Sequence, residues 1–160
     1  ENEVMLRGLS AESLQPDREA VEVFGRLGVE SEEREEGIVI RKSEDKAWRG
    51  GFFEMNCQNV PDMTMVLSAT LCEMEIPFRL SGLEVLERKE SSRGVVMMEE
   101  LRKSGYFVEW NGEELSWSGE KCQKIGGWSD RDDHRVAMAL MILGVDVDLK
   151  SIAKSYKLER

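Results

Sequence analysis

Histidine occurs once in this chain of 160 residues, and cysteine and proline three times each. Cys57, Cys72 and Cys122 are odd in number and lack metal-type spacing, so they read as free thiols of a reducing cytoplasm. Long apolar runs are missing too. None reaches the roughly 18 residues that a membrane span needs, and no signal peptide is expected at Glu1. Positive charge is in short supply, with 22 Lys and Arg against 32 Asp and Glu, a net −10. That balance excludes non-specific nucleic-acid binding and anionic-membrane binding, both of which need basic surface. No Gly-rich phosphate loop and no low-complexity linker are found. What is present is an apolar content of 41%, enough for a folded globule rather than a disordered tail. The length fits one domain, burying about 70% of its unfolded surface.

A repeat organises the chain. The first copy runs from Arg7-Gly8-Leu9 through Ser13-Leu14-Gln15-Pro16-Asp17-Arg18 and an apolar-periodic helix. It then continues through Leu27-Gly28-Val29 to a strand at Gly37-Ile38-Val39-Ile40. The second copy runs from Ser81-Gly82-Leu83 through Lys89-Glu90-Ser91-Ser92-Arg93 and a helix. It ends with Ser104-Gly105-Tyr106 and strands over Tyr106–Trp110 and Glu114–Trp117. Each copy thus reads as a strand, a loop, a helix ending near glycine, and a hairpin. Glycine just past a helix and Asn111-Gly112 between two β-rich runs supply the punctuation.

Two further helices are expected, from Pro61-Asp62 to Leu71 and from Val136 to Leu143. Both are apolar on nearly every side, which predicts burial on all sides. The expected class is therefore α/β (α+β), with repeated βαβαββ units, helices at the centre and mixed sheets facing water. That inverts the Rossmann arrangement. Glu30–Glu36 and Ser43–Lys46 read as solvated charged loops.

Chemistry gathers in four places. Asp62 places a carboxylate at the start of one buried helix. Lys89 and Arg93 are four residues apart, on one face if helical, with Glu90 between them. Arg135 follows Asp132-Asp133-His134 at the start of the last long helix, where backbone N–H groups and the helix dipole favour an anion. An arginine there adds a planar fork for carboxylate or phosphate. Lys154 lies in Ala153-Lys154-Ser155-Tyr156. Together these cations and acids suit an anionic substrate with a general acid and base close by. Each also has a plainer reading: Asp62 as a helix cap, Lys89 to Arg93 as an exposed charged turn, Arg135 as a partner of Asp132 or Asp133, and Lys154 as an ordinary surface lysine.

The order of these motifs resembles the C-terminal domain of the 5-enolpyruvylshikimate-3-phosphate synthase family. The matching pieces are Ser13-Leu14-Gln15-Pro16-Asp17, Val60-Pro61-Asp62, Lys89-Glu90-Ser91-Ser92-Arg93 with Glu99-Glu100-Leu101-Arg102-Lys103, Asp133-His134-Arg135-Val136-Ala137-Met138, and Ala153-Lys154-Ser155-Tyr156. Ile76-Pro77-Phe78-Arg79-Leu80-Ser81-Gly82-Leu83 looks especially like the bacteroidete branch. The resemblance implies transfer of the enolpyruvyl group of phosphoenolpyruvate to the 5-hydroxyl of shikimate 3-phosphate, with release of phosphate. It implies no metal and no organic cofactor. Asp62 would act as base at the attacking hydroxyl, and Glu90 would handle protons at the methylene carbon. Lys89 would lie near the reacting centre, and Arg93, Arg135 and Lys154 would hold phosphoenolpyruvate.

The chain departs from the family pattern at Ser91-Ser92, where the family has Thr-Asp, and at Pro16, Val85 and Lys157. It holds about two repeat units, roughly 1–75 and 76–160, and is expected to be part of that C-terminal domain. Alone it is expected to show no turnover. It is also expected to self-associate through apolar helix faces such as Met63, Leu67 and Val136. The site should form one open concave face whose arginines are largely unpaired or hold an anion. The enzymatic rival is a UDP-N-acetylglucosamine enolpyruvyl transferase of the same fold, which relies on a loop cysteine and lacks the Asp-His-Arg helix start. The other rival is a catalytically silent interaction domain.

Overall fold

A computed structural model describes residues 3–10, 12–43, 48–89, 91–129 and 132–145. The fold is α+β, and the chain divides into two compact units, Glu1–Gly50 and Gly51–Arg160.

The first unit is a three-stranded antiparallel sheet with one short helix. Strand β1 (Glu3–Arg7) leads into a 3-10 turn (Pro16–Glu19) and helix α1 (Ala20–Arg26). The hairpin β2 (Val29–Arg34) and β3 (Gly37–Lys42) follows, and the spatial order is β1-β3-β2. Helix α1 packs on β2, and Val23, Leu27, Ile38 and Val39 form the small core. The expected loop Glu30–Glu36 is mostly strand, because alternating Glu30 and Glu32 pair with Arg41 across the ladder at 3.0 and 3.3 Å.

The second unit carries a complete βαβαββ order. It runs β4 (Phe53–Asn56), helix α2 (Thr64–Glu73), β5 (Phe78–Ser81), helix α3 (Arg93–Lys103), β6 (Tyr106–Trp110) and β7 (Leu115–Lys121). The sheet order is β4-β5-β7-β6, parallel between β4 and β5 and antiparallel elsewhere. Phe53, Phe78, Leu80, Leu115 and Trp117 point to the buried face. In-register Glu54, Arg79 and Ser116 line the other, where Arg79 reaches Glu54 and Glu114 at 3.4 Å. This period of two is what a sheet with one wet face requires. The expected division near residue 75 lies between α2 and β5, inside this unit.

Helix α4 (His134–Ile142) packs against α2 and α3, so three helices gather on the buried side of the sheet. Helix α2 is buried nearly all round, through Met65, Leu67, Ser68, Ala69, Leu71 and Cys72. Burying each large apolar side chain there contributes about 1.5–3 kcal/mol. Helix α4 departs from the expected full burial. Val136, Ala137, Ala139 and Leu140 are covered, whereas Met141 is exposed. Met63, Leu67 and Val136, expected as exposed faces for self-association, are all buried within the chain itself. The apolar residues that do reach solvent include Val4, Met5 and Leu6 of β1.

The repeat is visible in the backbone. Gly8 after β1 and Gly82 after β5 have φ of 75° and 74°, and Gly28 and Gly105 before the hairpins have 97° and 102°. These left-handed values suit glycine and are strained for other residues. Cys57, Cys72 and Cys122 are free thiols, and burial pushes the Cys72 thiol well up, so it packs as a small apolar group. Among the described residues no helix is long and apolar enough to cross a membrane.

Candidate functional site

Three chain segments of the second unit bring their ends together. The first begins at Pro61, whose fixed φ starts a 3-10 turn (Pro61–Met63) that continues into α2 and sets Asp62 in its first turn. The second is the stretch between a 3-10 turn (Glu84–Arg88) and α3. Lys89 leaves the turn in an extended conformation, and Arg93 is the first residue of the helix. Lys89 and Arg93 therefore do not share a helix face as the spacing suggested; a bend of the chain makes them converge. Glu87 fastens this stretch, accepting from Ser92 Oγ and from Trp110 Nε1, the latter at 2.8 Å. A side chain at Gly94 would meet the Trp110 ring at 2.3 Å, so only glycine lets the start of α3 lie against it. The third segment ends in Asp133, the N-cap of α4, whose Oδ1 accepts from the Arg135 backbone N–H at 3.0 Å.

Asp62 sits among three cations. Its Oδ1 is 2.6 Å from Arg93 Nη1 and 3.3 Å from Lys89 Nζ, and its Oδ2 is 3.4 Å from Arg135 Nη2. Arg93 is only 1% exposed. Its Nε donates to Asp133 Oδ2 at 2.7 Å and its Nη2 to Asp133 Oδ1 at 3.3 Å, a two-pronged contact that defines the guanidinium plane. Ser91 Oγ donates to the same Asp133 Oδ2 at 3.0 Å. Burial by itself would raise the Asp133 pKa. The hydrogen bonds and charge of Arg93, with Ser91 and the Arg135 N–H, outweigh it and hold the carboxyl below the usual range.

The cluster can hold an oxyanion. Lys89, Arg93 and Arg135 outnumber Asp62 and Asp133, which leaves local positive charge on a chain of net −10. Lys89 and Arg135 keep part of their side chains in water, whereas Arg93 is anchored beneath them. The Asp62 carboxylate is a hydrogen-bond acceptor that keeps part of its side chain in water. Among the described residues no group of three or more His, Cys, Asp or Glu is placed to hold a metal ion. A wide depression of about 900 Å³ in the first unit, bordered by Ser10, Gln15, Asp17, Arg18 and Glu22, has no comparable concentration of cations.

The sequence expectations fare unevenly. Asp62, Lys89, Arg93 and Arg135 come together, and none behaves as an isolated surface group. Glu90 and Lys154 lie outside the described residues. The expectation of unpaired arginines is overturned. Arg93 is buried between two carboxylates, because a fully desolvated guanidinium requires partners. Arg135 directs its side chain to Asp62, while its backbone takes the Asp133 cap. Sequence reasoning assigned no site role to Asp133 and Ser91. An acid directly before an apolar helix is legible as a cap, but its bond to an arginine 40 positions earlier is not.

Comparison with known proteins places these residues in a family. The family model EPSP synthase (3-phosphoshikimate 1-carboxyvinyltransferase) matches residues 1–158. A 3-phosphoshikimate 1-carboxyvinyltransferase of Bacteroides fragilis is 34% identical over 143 residues, 86% of this chain and 33% of the relative. Relatives of the same name from Methanopyrus kandleri and Clostridium kluyveri are 29% and 32% identical, over 95% and 83% of the chain and 34% and 30% of their own lengths. The chain spans about a third of the length of the curated relatives it matches. It belongs to the EPSP synthase family.

Proposed function

From membership of that family we propose that the chain supplies part of the site at which the enolpyruvyl group of phosphoenolpyruvate passes to the 5-hydroxyl of shikimate 3-phosphate. The observation that carries the reading is the convergence of Lys89, Arg93 and Arg135 on the Asp62 carboxylate. In the reaction the 5-oxygen bonds to the central carbon of phosphoenolpyruvate, while the methylene carbon first gains and then loses a proton. The bond to phosphate breaks, and inorganic phosphate leaves. Asp62 takes the hydroxyl proton, Glu90 serves the methylene carbon, and Lys89 stands at the reacting centre. Arg93, Arg135 and Lys154 hold the carboxylate and phosphate of phosphoenolpyruvate. Fixing both anionic ends keeps the central carbon aligned with the attacking oxygen while positive charge develops on protonation. No cofactor is required. The same reading assigns residues 1–160 to part of the family's C-terminal domain and places the reaction in the cytoplasm. It includes self-association of the chain, and a clean monomer at high concentration in sedimentation velocity would remove that element.

The test is a titration of the isotope-labelled chain. Phosphoenolpyruvate together with shikimate 3-phosphate should shift the backbone amides around Arg93 and Arg135, and Arg135→Ala should abolish the shift. UDP-N-acetylglucosamine should leave these amides unmoved. A response to the sugar nucleotide instead would favour the rival transferase, and silence to all three ligands would favour an interaction domain.

A further inference from the structure

The proposed reaction gives no task to the buried Asp133 carboxylate. Asp133 is 1% exposed, touches none of the cations that face solvent through its own charge, and yet accepts four hydrogen bonds. Two come from the Nε and Nη2 edge of Arg93, one from Ser91 Oγ, and one from the backbone N–H of Arg135. The carboxylate therefore acts on both arginines by different routes. It fixes the plane of the Arg93 guanidinium and leaves Nη1 directed toward Asp62. It also caps α4 and so sets the first helical turn from which Arg135 projects. Ser91 ties the same carboxylate to the loop that carries Lys89.

We propose that Asp133 is the positioning residue of the anion site, aligning Arg93 and Arg135 for the oxygens of a phosphate or carboxylate. The inference rests on the anion-binding part of the function proposed above. Charge alone argues the opposite way. A carboxylate beside an oxyanion repels it, so its neutralisation should tighten anion binding. Positioning requires that neutralisation weaken it, because a guanidinium released from its two-pronged contact spreads over several rotamers. The two accounts differ in sign, which makes the matter decidable.

Inorganic phosphate is the probe, titrated into the isotope-labelled chain and its Asp133→Asn, Asp132→Asn and Ser91→Ala variants. In the unaltered chain the Arg93 Nε–H should give a slowly exchanging signal, and phosphate should shift it. D133N should keep its amide dispersion, lose that signal and bind phosphate roughly tenfold more weakly, the scale on which losing a buried orienting partner is felt. D132N, which removes the neighbouring charge on an exposed side chain, should bind phosphate as well or better. If D133N loses its dispersion, S91A carries the test. It keeps the charge, and it should broaden the Arg93 signal and weaken phosphate binding in the same direction. Phosphate binding that is unchanged or tighter in D133N, or in S91A where that variant carries the test, overturns the proposal. So does an unaltered chain that does not respond to phosphate. Phosphate binding that depends on Asp133, with no response to phosphoenolpyruvate and shikimate 3-phosphate, would refute the enolpyruvyl reading and leave the positioning role standing.

Discussion

Residues 3–42 and 78–121 pass through the same order of elements, in sheets of the same strand order, with left-handed glycines at matching places. Their environments differ sharply. Strand β5 is paired on both sides, by β4 and β7, and its Phe78 and Leu80 are wholly buried beneath the helices. Strand β1 is paired by β3, and its Val4 and Leu6, in the matching positions, are 51% and 36% exposed. The starts of the two helical stretches contrast in the same way. Arg18 is exposed and donates to the Ser13 carbonyl oxygen at 3.4 Å, whereas Arg93 is buried between two carboxylates. A repeated sequence pattern therefore sets the path of the chain. The neighbours of each copy decide whether its apolar residues become core and whether its loop becomes a site.

The largest separation between the copies should come from the arginines. Arg93→Ala leaves the buried Asp133 carboxylate without its cation, while Asp62 keeps Lys89 and Arg135, and is expected to cost about 3–5 kcal/mol in urea unfolding. Arg18→Ala should stay within about 0.5 kcal/mol. Equal effects would break the contrast. Next come the strands. Leu80→Ala should cost about 2–5 kcal/mol through the cavity it leaves. Leu6→Ala, already part-solvated, should fall below that range, and a matching loss would mean that β1 is covered in solution.

The smallest effect should lie in the acid limb. Asp133 has a folded pKa below the unfolded carboxylate value of about 3.9, so its ionised form contributes stability above that pH and loses it as pH falls through the folded value. Urea midpoints measured against pH should therefore fall more steeply below about pH 4 in the unaltered chain than in D133N. Glu32 of the first unit is also held low, by its hydrogen bond to Arg34 and the charge of that guanidinium, with Arg41 adding to them, but it is exposed. Glu32→Gln should leave the acid limb unchanged at physiological salt. A change as large as that of D133N would show that exposed and buried pairs count alike here.

Much of the fold was legible locally. The turn at Asn111-Gly112 is read from two residues, and the Asn111 side chain accepts from the amides of Glu113 and Glu114 as such turns require. Strand β6 occupies the residues expected of it. The charged run Glu30–Glu36 misled, because its glutamates find an arginine on the next strand rather than open water. At the candidate site, the four described residues were named from motif order, but their pairing was not. Spacing put Lys89 and Arg93 on one face only if the stretch was helical, whereas Lys89 is extended and Arg93 opens α3, and the two converge on Asp62. Asp133 was legible as a helix cap and illegible as the partner of Arg93.

By itself, the sequence determined the strand, loop, helix and hairpin order of the two copies, the glycine positions where the backbone turns left-handed, and the family. These depend on periods and dihedral preferences that act within a few residues. Only the tertiary structure decided that the second copy of the repeat, and not the first, buries its strand and loop. It also decided that one arginine disappears from solvent between Asp62 and Asp133. Burial and charge pairing are long-range: they join residues 31 and 40 positions apart, and a guanidinium stripped of water has a tolerable energy only where folding has already brought its carboxylates together.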